Sequence, residues 1–291
     1  MKIRLLPIVF LSVFVILTSI SLAQDLANPL DPGAARKPFY VGPVVGYNKS
    51  MHSVDLLTFI TVVNNINICK PFKDGDGNGF YVGVSYENFL GKDADKANTS
   101  IIARLLFSTL PATLEKEQDH IPSLVYNPTT DQNDIVYTST KHDASVTYNL
   151  ICGEVMFKLN PIPGITFGIT AGPTFDFPIT KTIRQTYSLL GEPYNARFIG
   201  PQTAQEIAEW QQNNWMLSDD KRTITVKDGP IEDAASFRLG IKIGLQYEII
   251  TSKSWYIVPS IYYNWGLTKV TSKEDWRVNA LQAGVDIRFA L

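Results

Sequence analysis

The 291-residue chain is poor in cysteine, with two, in histidine, with three, and in charged residues, which make up 19%. Cys69 and Cys152 lack a CxxC spacing, so they form neither a metal knuckle nor a redox motif. Whether they pair stays open, because the strand pattern below places Cys69 in a loop and Cys152 within a wall. No excess of basic charge is present: 26 Lys and Arg face 28 Asp and Glu. A nucleic-acid binder needs a strong positive field, so that class is excluded. A mean hydropathy of −0.01 with 11% aromatics rules out a disordered or collagen-like chain. Beyond the N-terminus there is no apolar run long enough for a transmembrane helix.

The one such run begins after Lys2 and Arg4, spans Leu5–Leu17 and ends in Ser21-Leu22-Ala23. A basic start, an apolar centre and a small-x-small end describe a secretory signal peptide over residues 1–23. Its removal leaves an exported, mildly acidic chain. Residues 24–37, with Pro29, Pro32 and Gly33, read as an extended periplasmic lead-in.

From residue 38 onward the hydrophobic period is two, the period of a strand. Phe39, Val41, Pro43, Val45 and Tyr47 oppose Tyr40, Gly42, Val44 and Gly46. Similar alternation covers 80–87, 101–108, 144–159, 165–177, 237–249, 255–266 and 281–291, giving eight expected strands. The 144–159 run is the least regular, since it leaves Leu150 and Met156 on the polar face; a bulge near Gly153 is one remedy. Connections alternate in length. Residues 49–79, the stretch between 108 and 144, and the stretch between 177 and 237 read as long loops, with tight turns between them. Short turns on one side and long loops on the other are the habit of outer-membrane barrels.

Sterics assign the faces. The apolar face is bulky and aromatic, whereas the other carries Gly42, Gly46, Gly83, Gly168, Gly172, Gly240, Gly244, Gly266 and Gly284. An eight-stranded barrel has room inside only for side chains, so glycine belongs within and bulk faces lipid. The glycine face also bears Glu87, Arg104, Asp176, Arg238, Lys242, Glu248, Asp286 and Arg288, four acids and four bases. Charges withdrawn from water must pair, which predicts a lumenal charge network rather than a pore lined by one sign. Glu154 and Lys158 fall on the same inner phase.

With these features in place, the chain resembles the outer-membrane β-barrel domain family, the PorT-like group of small eight-stranded barrels in diderm bacteria. The residues that carry the resemblance are Tyr148–Lys158 followed by Asn160-Pro161-Ile162-Pro163-Gly164, then Phe167–Phe177, Arg238–Glu248 and Trp255–Gly266. It covers nearly all of residues 38–291. Val285, Ile287, Phe289 and Leu291 resemble the terminal assembly signal of such proteins, although Leu291 stands where an aromatic is commonest. The family implies no catalytic residues and no cofactor.

Three other features invite chemistry. Asp74, Asp76 and Asn78 alternate as in the first half of a calcium loop, but Ser85 occupies the position of the bidentate Glu, and a polar turn into the second strand is the plainer reading. His52, His120 and His142 map to the long-loop side near Ser53 and Ser145, where a lipid-modifying acyl enzyme would need a His–Ser pair. Pro201–Trp215 reads as a helix, either packed over the rim or presented to a partner. The expectation is an all-β, eight-stranded antiparallel transmembrane β-barrel with short periplasmic turns and long extracellular loops. It is a non-enzyme in the cell outer membrane, contacting lipid, the barrel assembly machinery and an extracellular partner through its loops. The alternatives are the rim enzyme and a soluble exported ligand-binding barrel or sandwich.

Overall fold

A computed structural model describes residues 37–291 apart from 57–61, 64–65, 68–71, 92–93, 95–96, 128, 163–164, 191–195, 199, 202 and 253–254. The expected signal peptide, all but the last residue of the lead-in, and Cys69 lie outside the described residues.

Alternating residues build fourteen strands: β1 (Phe39–Leu56), β2 (Val62–Val63), β3 (Ile66–Asn67), β4 (Phe72–Phe89), β5 (Thr99–Thr109), β6 (Ala112–Asn127), β7 (Gln132–Leu159), β8 (Phe167–Leu190), β9 (Met216–Leu217), β10 (Thr223–Pro230), β11 (Arg238–Tyr247), β12 (Ile249–Ser252), β13 (Trp255–Gly266) and β14 (Arg277–Ala290). Twelve belong to one antiparallel sheet and β2–β3 form a separate ribbon. The sheet has more strands than the eight expected because the β5–β6 stave is broken once, the β10–β11–β12 stave twice, and the short β9 pairs onto β10. β7 pairs with β5 through its second half and with β6 through its first, so β5 and β6 form one stave broken at Leu110-Pro111. β8 likewise pairs with β11 through one half and β10 through the other. Following the long pairings, β1, β4, β5, β7, β8, β11, β13 and β14 succeed one another, and β14 pairs back onto β1. The ring is closed, which leaves no strand edge at that level.

The expected long loops are largely strand. β1 continues to Leu56 and β4 begins at Phe72, which shortens the 49–79 loop from both ends. Most of the stretch between 108 and 144 is hairpin, with β6 ending at Asn127 and β7 starting at Gln132. Polar residues dominate there, so the period-two pattern lacks a bulky apolar face.

The irregular fourth run is accommodated, though not by a bulge at Gly153. The shift falls between Asn149 and Leu150, where β8 passes from Thr180 to Pro178 opposite them. The extra residue is on β8, so β7 keeps its phase: Leu150, Cys152, Glu154, Met156 and Lys158 all point inward and are buried, with Leu150 and Met156 in apolar clusters.

The glycine face packs by close approach. A Cβ on Gly46 or Gly284 would overlap the Tyr81 ring and hydroxyl, and one on Gly244 would overlap Tyr262. Two tyrosines thus fill space that glycines leave. Above them, toward the β6–β7 hairpin, an apolar core of Leu110, Leu114, Val146, Tyr148, Val270 and Trp276, among others, occupies the ring.

Candidate functional site

All eight charged residues expected on the inner face are buried, and so are Glu154 and Lys158. Strand pairing sets their heights: Ser85 stands opposite Arg104, Arg104 opposite Glu154, and Val258 opposite Asp286. Arg104 donates to both Asp286 oxygens at 2.9 and 3.1 Å, and to the Tyr262 hydroxyl at 2.6 Å. Arg288 reaches Asp286 at 2.7 Å and also bonds Glu87. Lys158 joins Glu87 to Glu248, and Lys242 bonds Glu154. Glu87 also accepts from the Tyr256 hydroxyl at 2.7 Å and from the Ser100 hydroxyl at 2.5 Å.

Ordered by contact, the chain runs Glu248, Lys158, Glu87, Arg288, Asp286, Arg104, Glu154, Lys242, and the sign alternates at every step; the Arg104–Glu154 link is 3.9 Å. Arg238 and Asp176 form a separate pair at 4.0 Å. Each charge therefore has an opposite charge beside it, the condition for keeping ions out of bulk water. The group is held by β4, β5, β7, β11 and β14, with tyrosines from β13 and Glu248 just past the end of β11. Glu154 and Lys158 are as integral to it as the eight charges expected on the glycine face. Their inner phase was legible, and the unbroken β5–β7 register brings them beside Arg104 and Ser100.

The outer face is the inverse. Val45, Val82, Val84, Leu105, Val155, Ile169, Ile241, Ile243, Ile261 and Val285 are exposed between two tiers of rings. At one end Phe39 stacks on Tyr86 at 6.2 Å and Trp255 on Phe289 at 6.4 Å. At the other, Phe80 meets Phe107 at 6.0 Å and Phe177 meets Phe237 at 5.2 Å, with Tyr47 and Trp265 alongside. From Phe39 to Tyr47 the wall rises about 20 Å, taking ~3.3 Å per residue and a tilt of ~40°. Val285, Ile287, Phe289 and Leu291 all lie exposed on this outer face.

The Asp74–Gly79 segment is neither turn nor calcium loop. It is straight strand within β4, with Asp74, Asp76 and Asn78 directed outward. The interleaved glycines face inward because another backbone crosses there: a Cβ on Gly77 would overlap Pro111, and one on Gly79 would overlap the Thr109 carbonyl. Asn78 accepts from the Tyr47 hydroxyl and Asp76 bonds Lys49. Asp74, Asp76 and Glu115 line an outer groove of about 590 Å³ with Met51, Ser53 and Thr113. Among the described residues, no three His, Cys, Asp or Glu side chains converge as metal ligands would.

The histidines lie in strands, not loops. The His52 ring faces the Leu110 carbonyl at 3.0 Å through Nε2 and accepts from the Trp276 indole at 3.1 Å through Nδ1. Both nitrogens are thereby engaged, so His52 makes no pair with a serine hydroxyl. Burial above the ring tier holds its pKa down to about 3, against the opposing Leu110 hydrogen bond and with help from the Arg238 charge. His142 Nε2 meets Gln185 at 2.8 Å, and burial lowers its pKa to about 4. His120, in β6, has φ of 62°, where the β6–β7 register shifts.

The helix predicted over 201–215 is α1 (Ala204–Gln212), opened by a capping box between Thr203 and Glu206. None of its residues is buried, but Trp210 and Trp215 pack against Tyr187, Ile224 and Val226. Cys152 is a free, buried thiol.

No protein-family model matches this chain, and no curated protein does. Among solved structures it is similar to Ail, the attachment invasion locus protein of Yersinia pestis, at 11% identity and a TM-score of 0.28, covering 86% of this chain and 99% of that one. It is also similar to Neisserial surface protein A at 12% identity and a TM-score of 0.33, covering 87% and 97%. A Pseudomonas aeruginosa FadL homologue aligns at 7% identity and a TM-score of 0.24, covering 87% and 90%. None of the three scores exceeds 0.33, and the likeness assigns this chain no function.

Proposed function

We propose that the chain is an integral outer-membrane protein, an eight-stave transmembrane β-barrel with a filled polar lumen and no open channel. In this reading, residues 1–23 direct export and residues 24–37 lead into the barrel from the periplasm. The band of exposed aliphatic side chains between two aromatic tiers carries the proposal, because it stands opposite an interior of paired charges. Hydrocarbon tolerates no unpaired backbone, and a closed ring pairs all of it. The connections that follow β4, β7 and β12 then face the periplasm with both ends of the barrel, while the β6–β7–β8–β10 extension and α1 face outward.

Inside, the charge chain and the apolar core above it occupy the space a solute would need, which favours a structural or interaction role over transport. The partners that follow are outer-membrane lipid, the barrel assembly machinery reading Val285, Ile287, Phe289 and Leu291, and an extracellular partner met by the outward extension. Membership of the PorT-like group rests on the sequence pattern alone.

Detergent-extracted protein should migrate faster on a gel unheated than boiled, and should stay with membranes through a carbonate wash. Reconstituted into planar bilayers, it should give no stable conductance steps. Recovery in the soluble periplasmic fraction would refute the membrane reading, and reproducible open-channel conductance would refute the filled lumen.

A further inference from the structure

Two of the buried ion pairs differ from the rest. Arg104 Nη1 stands 3.9 Å from Glu154 Oε2 and Arg238 Nη1 stands 4.0 Å from Asp176 Oδ2, both beyond hydrogen-bond reach. In each case the guanidinium is drawn away by its other nitrogen. Arg104 Nη2 is held by Asp286 and Tyr262, and Arg238 Nη2 donates to the Val278 carbonyl at 3.1 Å. Nε and Nη1 of both arginines therefore have no hydrogen-bond partner among the described residues. The same holds for Glu154 Oε2, Asp176 Oδ1 and the Tyr148 hydroxyl. Both arginines, both carboxylates and Tyr148 are at least nine-tenths buried.

The two pairs are neighbours. Cys152 faces Asp176 across β7 and β8, and Glu154 lies two residues further along β7. The Tyr148 ring lies under the Arg238 guanidinium, 5.5 Å away. The unmatched donors and acceptors thus collect along one inner seam, between the directly bonded charges and the apolar core.

We infer that this seam is an internal water-binding site, with water bridging Arg104 to Glu154 and Arg238 to Asp176. The ligand must accept from a guanidinium and donate to a carboxylate at once, and water is the smallest species that does both. Each pair is already neutral, so an anion would meet Glu154 or Asp176 and a cation would meet an arginine. A buried polar group left unmatched is costly, and a separation just beyond hydrogen-bond length is where a bridging water belongs.

Arg288 supplies an internal control, because its Nε donates directly to Asp286 at 3.2 Å. Water-edited solid-state NMR on the full chain in lipid bilayers should transfer magnetisation from slowly exchanging water to the Nε–H of Arg104 and Arg238, and several-fold less to that of Arg288. Asp176→Asn, which keeps an acceptor, should retain the Arg238 signal. Asp176→Leu should abolish that signal and spare Arg104. Transfer to Arg104 and Arg238 no stronger than to Arg288 in the wild-type protein would overturn the site, whether or not either variant folds.

Discussion

The indole of Trp276 donates to Nδ1 of His52 across 3.1 Å, tying the residue that leads into β14 to β1 from 224 positions away. Nε2 of the same ring faces the carbonyl at which the β5–β6 stave is interrupted. One neutral imidazole therefore fastens two elements of the apolar core that fills the ring, and it does so only as the Nε2–H tautomer.

Protonation at Nδ1 removes the acceptor that Trp276 needs. The folded pKa of about 3 lies below the usual 6.5, so the unfolded chain takes up the proton first. Stability is full above pH 6.5 and falls as the pH drops toward 3, by about 1.4 kcal/mol per unit where the two states differ fully. His142 adds to the slope over a narrower range, down to about pH 4. The urea midpoint in detergent should decline between pH 6.5 and 4, and less steeply in His52→Gln. An unchanged slope in that variant would contradict the assignment.

Gly77 faces the crossing backbone of Pro111 and Ala112, which cannot rotate aside as a side chain could. Gly77→Val should destabilise the fold by about 1–3 kcal/mol or more, the range for overpacking a close contact. Gly229, whose Cβ would meet nothing, should accept alanine without loss. Heat-modifiable mobility across a temperature series measures both.

Arg288 is shared by Glu87 and Asp286. Arg288→Met leaves two buried carboxylates short of a cation and should cost about 3–5 kcal/mol, the effect of breaking a buried pair from one side. Lys227→Met, which removes a solvent-facing partner of Glu232, should leave the urea midpoint where it is.

Trp215 connects α1 to the outer extension through Trp210, Tyr187 and Ile224. Trp215→Ala should loosen that segment and speed trypsin cleavage at Lys221 and Arg222, while the heat-modifiable shift persists. Loss of the shift would mean that the segment supports the barrel itself.

The all-β class, the inward phase of the charges and the bulky outer face were all legible in the sequence. Period two marks which residues share a face, and sterics choose between the faces. The helix near 204–212 was legible for a similar reason, since its cap and apolar spacing are local. Asp74–Gly79 was misleading because Asp-Gly repeats describe turns when nothing shows the backbone that crosses above. The hairpin between 108 and 144 was hidden because its strands are mostly polar and lack the bulky apolar face that marked the others.

What the sequence determined by itself is periodicity: one apolar and one polar face, with acids and bases in balance on the inner one. Tertiary structure alone decided partners and register. The alternating order from Glu248 to Lys242, the closure of β14 on β1, the crossing at Leu110-Pro111 and the His52–Trp276 contact all join residues distant in the chain. Their meeting depends on how staves are staggered around a ring, and a pattern of period two fixes the face of each residue but not its height.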